Sequence, residues 1–218
     1  MNIVKCALFD FDNTLFPGDS VVPFLLYAIR KGVAPKSQLL RAAWGYLLQL
    51  GRPGNISKAK EYTFSFIKGM RLDAMDQLAR GFLHDVVVPR LYDDAVAELC
   101  RLRRDGYKIV VASASVDLYM HLLPEILPVD VVLSTQCEIS GYSYTGKVER
   151  NCKDTEKCRR INAWIRKNHF LFNAADSHAY GDSLSDAPML HMVGQPTLVN
   201  PGKKLIAEFP KAPQVHWR

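Results

Sequence analysis

The chain has 218 residues, of which 48% are hydrophobic and 23% are charged, as is typical of a globular protein. This length suits one large domain, or one domain that carries a smaller insert. The longest uncharged apolar stretch near the N-terminus, VVPFLLYAI (21–29), is shorter than the ~20 residues that a membrane span needs. The N-terminus lacks the apolar region and cleavage site of a signal peptide, so we expect a soluble cytoplasmic protein. Five cysteines without a CxxC pair argue against a disulfide framework or a zinc site.

The formal net charge is +6, and the excess of positive charge lies in one segment. Residues 17–60 contain seven lysines and arginines against a single acid, Asp19, while the rest of the chain is balanced. Any anionic partner should therefore meet this segment. The alternative is that these basic side chains only form the solvent-exposed faces of helices. The charge alone does not decide between an anionic partner and this alternative.

In chain order, the first predicted element is a buried strand over 3–9, IVKCALF, which is nearly all apolar and rich in β-branched residues. Four predicted helices follow without a strand, separated by Gly and Pro: 20–31, 36–50, 56–68 and 72–86. Helices and strands then alternate: helix 93–106, strand 107–113, helix 115–126, strand 129–135, a hairpin over 137–148, helix 152–168, strand 177–182, helix 184–193 and strand 195–200. The last stretch, 210–218, has no periodicity, so we expect it to be loosely held.

This order of elements predicts an α/β fold, with a Rossmann-like parallel sheet and helices on both of its faces. The helix-only block interrupts the alternation and is best interpreted as an inserted, all-helical cap domain. We therefore expect a core domain formed by 1–16 and 89–218, and a cap domain formed by 17–88.

Polar side chains cluster at the carboxyl ends of the predicted strands and at the start of one predicted helix: Asp10, Asp12 and Thr14; Ser113 and Ala114; Asp182 and Asp186; and Lys153 and Lys157. Ligands of open parallel sheets bind outside the carboxyl ends of the strands, so these residues should meet at one edge. Converging aspartates form an oxygen-only site that suits Mg²⁺, and we expect the metal on Asp10, Asp12, Asp182 and Asp186. A carboxylate can also attack phosphorus, and a second one can act as general acid and base. A hydroxyl and a lysine would hold the phosphoryl oxygens.

Four sequence motifs, in order, resemble those of the haloacid dehalogenase superfamily of phosphohydrolases: DFDNT, VVASAS, NCKDTEK and YGDSLSDAPML. The helical insert after the first motif is similar to that of the phosphoserine-phosphatase-like subfamily. The resemblance spans roughly residues 4–200. It implies a Mg²⁺-dependent phosphatase that forms an aspartyl-phosphate.

The resemblance also implies a role for each matching residue. Those roles are as follows: Asp10 as nucleophile, Asp12 as general acid and base with its main-chain carbonyl on Mg²⁺, Thr14 as support for the loop, Ser113 and the Ala114 amide as phosphoryl ligands, Asp182 as a Mg²⁺ ligand, and Asp186 as the residue that orients water or the metal shell. Lys153 and Lys157 both stand where the family places its lysine, and Lys157 is preferred. Asp154 departs from the family, in which a glycine is frequent there.

The substrate is left open by the sequence. We expect a small metabolite phosphate such as phosphoserine or histidinol phosphate. One alternative is a phospholipid head-group phosphatase, and another is a non-catalytic protein that binds anions or membranes. No nucleic-acid partner is expected, because the basic segment contains no recognisable nucleic-acid motif. The oligomeric state stays undetermined.

The predicted helix 36–50 bears on this choice because it is rich in leucine and aromatic residues with few polar ones. Such a stripe usually packs inside its own domain, and we expect that here. The alternative is that these side chains, with the neighbouring basic residues, contact an anionic membrane surface.

Overall fold

The structure, a computed structural model, describes residues 2–51 and 56–218. Its strands are β1 (Asn2–Val4), β2 (Cys6–Phe9), β3 (Lys108–Val116), β4 (Val131–Thr135), β5 (Cys137–Ser140), β6 (Ser143–Val148), β7 (Phe170–Phe172), β8 (His178–Gly181), β9 (Gln195–Val199) and β10 (Gln214–Val215). Its α-helices are α1 (Val21–Arg30), α2 (Gln38–Gly51), α3 (Ile56–Thr63), α4 (Leu72–Phe82), α5 (Asp93–Arg104), α6 (Asp117–Met120), α7 (Thr155–Lys167), α8 (Ala187–Leu190) and α9 (Lys203–Glu208). Within the described ranges, no helix has the length and apolar character required to cross a membrane.

Six parallel strands form the central sheet in the order β10-β9-β8-β2-β3-β4. Parallel neighbours require crossover connections, which is why helices separate most of these strands in the sequence. The segment 137–148 forms the predicted hairpin, with β5 antiparallel to β6. The α/β fold class with a parallel sheet is confirmed.

Both faces of the central sheet are buried, and each is covered by its own apolar core. Successive strand residues point to opposite faces, so Ala7 and Phe9 belong to one core while Cys6 and Leu8 belong to the other. The first core continues into α1, α4 and α5, and the second into α7, α8 and α9. Burial on both faces explains why β2 is an uninterrupted apolar run.

The helices α1 to α4 lie between β2 and α5, in the segment where the sequence predicts the cap. Aromatic contacts join them to the core: the Tyr119 ring lies 4.8 Å from that of Phe24 and 5.1 Å from that of Phe82. The hairpin β5–β6 joins the same segment, because the Gly69 amide donates to the Tyr144 carbonyl at 2.8 Å. The domain boundaries at 17 and 88 stay a prediction.

The prediction of one strand over 3–9 is wrong. β1 leaves the central sheet and pairs with β7, a strand that the sequence analysis missed, while β2 pairs with β3 and β8. The break falls at Lys5, whose ammonium group lies over the Tyr107 ring, 4.4 Å from its centroid. A lysine is rarely buried in a sheet, so the apolar run divides at this residue.

The helices predicted over 115–126 and 184–193 are wrong in extent. β3 continues to Val116, α6 covers one turn, and a 3₁₀ turn that contains Pro124 follows. In the second region a 3₁₀ turn precedes α8, which carries Pro188 in its first turn. Proline lacks the amide hydrogen that a continuous helix needs, so both regions break into short pieces.

The C-terminal stretch is packed rather than loosely held, so that prediction is also wrong. β10 extends the sheet beside β9. The Trp217 ring stacks on that of Tyr180 at 5.6 Å, and the Arg218 amide donates to the Asp94 carboxylate at 3.0 Å. A strand of two residues is too short to show a periodic pattern, and the contact of Trp217 with Tyr180 depends on tertiary packing, so the sequence could not predict either.

The expectation that the large apolar side chains of α2 pack inside the cap is wrong. Leu40, Trp44 and Leu47 are 75%, 56% and 58% exposed. The helix packs through a narrow stripe instead, where Gly45 is so near α3 that an added Cβ would lie 2.8 Å from the Ala59 carbonyl oxygen.

Candidate active site

Three neighbouring strands bring the predicted acids and serines to one edge of the sheet. Asp10 follows β2 directly, Asp182 follows β8, and Ser113 lies near the end of β3. β2 pairs with both of the other strands in parallel, so their carboxyl ends lie side by side. The Asp10 amide continues the pairing by donating to the Tyr180 carbonyl at 3.0 Å.

A tight turn after β2 places Asp10 and Asp12 on the same side of the sheet edge. The turn is possible because Asn13 adopts φ +60°, a left-handed conformation that asparagine tolerates better than most residues. The Asn13 side chain also accepts a hydrogen bond from the Gly18 amide at 3.0 Å, which closes the turn. The sequence DFDNT thus supplies both the acids and the residue that bends the chain between them and α1.

Lys157 is the predicted lysine that reaches the acids. Its Nζ lies 2.7 Å from Oδ1 of Asp10 and 2.6 Å from Oδ1 of Asp186, and all three side chains are buried. Burial alone would lower the pKa of Lys157, but the two carboxylates outweigh it and raise the pKa. The lysine is therefore held as an ammonium. Lys153 is partly exposed and lines the same cavity.

Asp12 is held by a network that the sequence analysis did not anticipate. Its carboxylate accepts hydrogen bonds from the Ser115 hydroxyl at 2.6 Å and from the Ser20 amide at 2.9 Å. The Ser20 hydroxyl in turn lies 2.8 Å from the Tyr119 hydroxyl. Burial raises the pKa of Asp12 to about 6, and the charge of Asp19 adds to the rise. The second serine of VVASAS was the available signal, since it lies two residues after Ser113 on one strand face.

A cavity of about 310 Å³ opens beside these groups. Its lining includes all of the predicted catalytic and phosphoryl-binding residues except Thr14 and Asp186, both of which are buried behind it. The Ser113 hydroxyl accepts a hydrogen bond from the Ser115 amide at 3.0 Å. Among the described residues, the Thr14 hydroxyl is the buried side-chain polar atom without a hydrogen-bond partner. Its predicted support of the loop therefore involves no hydrogen bond from this hydroxyl.

Lys60 enters the cavity from α3, and the sequence analysis missed it. Its Nζ donates to the Ala114 carbonyl and to the Asn151 side chain, and lies 3.5 Å from the Thr135 hydroxyl. Burial lowers the pKa of Lys60 to about 8. A single lysine in a basic helix gives no sign of which way it points, so only the packing of α3 against the core identifies it.

The acids at the edge of the sheet fit a divalent cation. Carboxylate oxygens of Asp10, Asp182 and Asp186 lie within 4.8 Å of one another. Burial raises the pKa of Asp182 to about 7, and the neighbouring Asp186 adds to the rise. Four carboxylates line the cavity and that of Asp186 lies behind it, against three lysines, so negative charge is in excess among the described residues: Asp10, Asp12, Asp19, Asp182 and Asp186 against Lys60, Lys153 and Lys157. Hard oxygen ligands with excess negative charge are the donor set that Mg²⁺ prefers.

Asp186 is fixed on both sides of its carboxylate. Oδ1 accepts from Lys157, and Oδ2 accepts from the Ser183 amide at 3.1 Å and hydroxyl at 2.9 Å. Gly181 makes room for it, since a Cβ there would lie 2.6 Å from the Cβ of Asp186. Both carboxylate oxygens of Asp186 thus accept hydrogen bonds, whereas among the described residues no side chain donates to the carboxylate of Asp182.

The sequence profile of the haloacid dehalogenase-like hydrolase family matches residues 7–191. The histidinol-phosphatase of Neisseria meningitidis serogroup C is 24% identical over 207 residues, which cover 93% of this chain and 93% of that protein. The crystal structure of a protein of unknown function from Bordetella pertussis superposes with a TM-score of 0.85 at 24% identity, over 98% of this chain and 99% of that one. The structure of a phospho-aspartyl intermediate analogue of phosphoserine phosphatase has a TM-score of 0.61 at 20% identity, over 98% and 93% of the two chains.

The chain therefore belongs to the haloacid dehalogenase-like hydrolase family. Within it, the protein is a phosphoric monoester hydrolase with a phosphoserine-phosphatase-like fold. The family resemblance noted in the sequence is confirmed, and so is the expected class of enzyme.

Proposed function

We propose that this protein hydrolyses a small metabolite phosphate through an aspartyl-phosphate on Asp10, with Mg²⁺ as cofactor. The observation that carries the proposal is the buried Lys157 ammonium, which ties Asp10 to Asp186 beside a cavity lined by Asp12 and Ser113. Lys157 occupies one oxygen of Asp10 and orients the carboxylate, which leaves the other oxygen for attack. Nucleophile, acid and phosphoryl-binding groups thus meet in one place.

In the first step, the free oxygen of Asp10 attacks phosphorus. The bond between phosphorus and the ester oxygen breaks, and Asp12 donates its proton to that leaving oxygen. A pKa of about 6 suits Asp12 to this exchange near neutral pH. In the second step, Asp12 takes a proton from water as the water oxygen attacks phosphorus, and the bond to Asp10 breaks to release inorganic phosphate.

The side chains of Asp10, Asp182 and Asp186 and the main-chain carbonyl of Asp12 would hold Mg²⁺, which supplies positive charge to the phosphoryl oxygens. Burial raises the pKa of Asp10, and the Lys157 ammonium opposes that rise while it orients the carboxylate. Ser113 with the Ala114 amide binds the phosphoryl oxygens. Lys153 lines the opening, where it can contact the same oxygens.

The character of the cavity supports a small polar substrate. Its volume of about 310 Å³ is at the lower end for ligand sites. Asp19 and Lys60, of opposite charge, both line it next to the phosphoryl-binding serine. A leaving group with its own charged groups, such as that of phosphoserine or histidinol phosphate, matches such walls. The similarity to a histidinol-phosphatase agrees with this class.

A second candidate, a phospholipid head-group phosphatase, is favoured by one specific observation. The exposed leucines and tryptophan of α2 belong to the same helical segment as Asp19 and Lys60, which line the cavity. A lipid substrate would need such a surface close to the active site.

The test is phosphate release from a panel of substrates, with Mg²⁺ and with EDTA: p-nitrophenyl phosphate, phosphoserine, histidinol phosphate and phosphatidylglycerophosphate. We expect Mg²⁺-dependent turnover that Asp10→Asn reduces roughly a thousandfold or more. Asp93→Asn, on the exposed first turn of α5, is the matched control and should leave turnover unchanged. A small metabolite as best substrate supports the main proposal, and the lipid as best substrate supports the second. Full activity in EDTA or in folded Asp10→Asn would contradict both.

A further inference from the structure

The outer face of α2 exposes three large apolar side chains; we call it the α2 face and define it by Leu40, Trp44 and Leu47. These residues lie at positions i, i+4 and i+7, on one side of the helix. They are 75%, 56% and 58% exposed. The opposite side of the helix packs inward through Gln38, whose amide donates to the Tyr62 and Thr63 carbonyls, and through Gly45. The helix therefore turns its small and polar residues inward and its large apolar residues outward.

The α2 face continues into an apolar groove between α2 and α3. The groove has a volume of about 340 Å³ and is lined by Leu40, Trp44 and Tyr62, with Arg41 and Ser65 at its rim. Arg41 donates to the Ser65 hydroxyl at 3.2 Å, which holds the guanidinium beside the apolar wall. A groove of this kind accepts a hydrocarbon chain next to a negative group.

The exposed charged side chains on and beside α2 are basic among the described residues, and the acid of α3, Glu61, is half-buried and accepts a hydrogen bond from the Val148 amide at 3.1 Å. Lys36 just before α2, Arg41 on it and Lys58 on the neighbouring α3 are all exposed. In residues 17–60 the single acid is Asp19, and it lines the active-site cavity instead. An apolar face with tryptophan and leucine, bordered by lysine and arginine, has the composition of a helix that lies in a lipid–water interface.

We propose that the α2 face docks on an anionic phospholipid surface, with Leu40, Trp44 and Leu47 inserted among the acyl chains and the basic residues against the head groups. Charge decides against a second copy of this chain as the occupant, since a symmetric contact would bring the same basic residues together without an acid. An anionic surface neutralises them. The docking does not depend on the substrate, so it goes beyond the proposed hydrolysis.

The test is flotation of the protein with vesicles of phosphatidylglycerol and phosphatidylcholine, beside vesicles of phosphatidylcholine alone. We expect binding to the mixed vesicles that weakens at high salt, little binding to the neutral ones, and a blue shift of Trp44 fluorescence. Leu40→Gln should weaken binding about tenfold, because it removes one inserted leucine. Ile3→Gln is the matched control, since Ile3 on β1 is 73% exposed and far from α2 in sequence.

Turnover of p-nitrophenyl phosphate, measured on the same samples, separates the two proposals. Leu40→Gln should keep wild-type turnover, since Leu40 does not line the active-site cavity. Absence of binding to the anionic vesicles, or equal binding by Leu40→Gln and wild type, would overturn the docking whatever the turnover. Sedimentation that shows a dimer abolished by Leu40→Gln would assign the α2 face to a second copy instead.

Discussion

At the scale of single residues, buried ion pairs between Lys157 and two aspartates organise the active site. Lys157 is almost fully buried and yet remains charged because two carboxylates lie within 2.7 Å of its Nζ. Removing one partner of a buried ion pair leaves an uncompensated charge, which costs far more than the pair contributes. The same arrangement fixes Asp10 and Asp186 relative to each other. Orientation of the nucleophile and stability of the site therefore depend on the same contacts.

Asp154, three residues before Lys157, has an unfavourable backbone conformation. It adopts φ +52° and ψ −130°, a combination that favours glycine, and its side chain caps no helix. Glycine, which the family resemblance leads one to expect here, would adopt this conformation without a steric cost. We predict that Asp154→Gly raises the melting temperature by about 2–4 °C, because relief of roughly 1 kcal/mol of strain has that effect in a chain of this size.

The measurement is thermal unfolding followed by circular dichroism. Asp154→Ala is the matched control, because it removes the carboxylate but keeps a Cβ in the unfavourable conformation, and it should bring no gain. An equal increase in both variants would mean that the carboxylate charge, rather than the backbone, limits stability at this site.

At the scale of elements, one lysine ties α3 to the core. Lys60 donates to the Ala114 carbonyl and to Asn151, while the Thr135 hydroxyl bonds the same carbonyl at 2.6 Å. Ala114 lies on β3, and its amide is one of the predicted phosphoryl ligands. The contact therefore connects the position of α3 with the geometry of that strand end.

We predict that Lys60→Met loosens α3 and raises KM more than it lowers kcat. Loss of a charged hydrogen bond is worth about 1.5–3 kcal/mol, or roughly tenfold or more in the opening equilibrium of the helix. Hydrogen exchange of the α3 amides, followed by mass spectrometry, measures this directly. Lys58→Met, on the exposed side of the same helix, should exchange like the wild type. Exchange of the α3 amides in Lys60→Met at the wild-type rate would contradict the conclusion that the Lys60 hydrogen bonds hold α3 on the core.

How much could be predicted from the sequence also depends on scale. Strand ends lie where the parallel sheet requires, so Asp10, Ser113 and Asp182 could be placed together before the structure was known. The sequence could not predict that the Lys60 side chain points into the cavity, because this depends on how α3 packs on strands that are distant in the sequence. The orientation of α2 was misjudged for a related reason: periodicity finds an apolar face but does not say whether that face turns inward.

At the scale of the whole molecule, the acidic site makes stability depend on pH and metal. The pKa of Asp12 is raised to about 6 and that of Asp182 to about 7, against 3.8 for an ordinary aspartate. At pH values above 3.8 and below the raised pKa of each carboxyl group, the folded protein binds more protons than the unfolded chain. The stability that protonation supplies is therefore complete below about pH 4 and is lost as the pH rises through 6 and 7.

We predict that, in EDTA, the contribution of these two carboxyls lowers the melting temperature between about pH 5 and about pH 7. Mg²⁺ should raise the melting temperature more at the higher pH, because it binds the ionised carboxylates. Asp182→Asn, which cannot ionise, should flatten the pH dependence in EDTA and reduce the effect of Mg²⁺. A slope of the same size in Asp182→Asn and wild type would show that other groups cause it.

The central claim is that Asp10 is phosphorylated during turnover, and the most direct measurement is to trap that state. The enzyme is mixed with phosphoserine or p-nitrophenyl phosphate and Mg²⁺, quenched in acid within the first turnovers, digested and analysed by mass spectrometry. We predict one phosphoryl group on the peptide that contains Asp10 in the wild type, and none in Asp10→Asn. Steady turnover with no phosphoryl group on Asp10, or with the group on another residue, would contradict the mechanism.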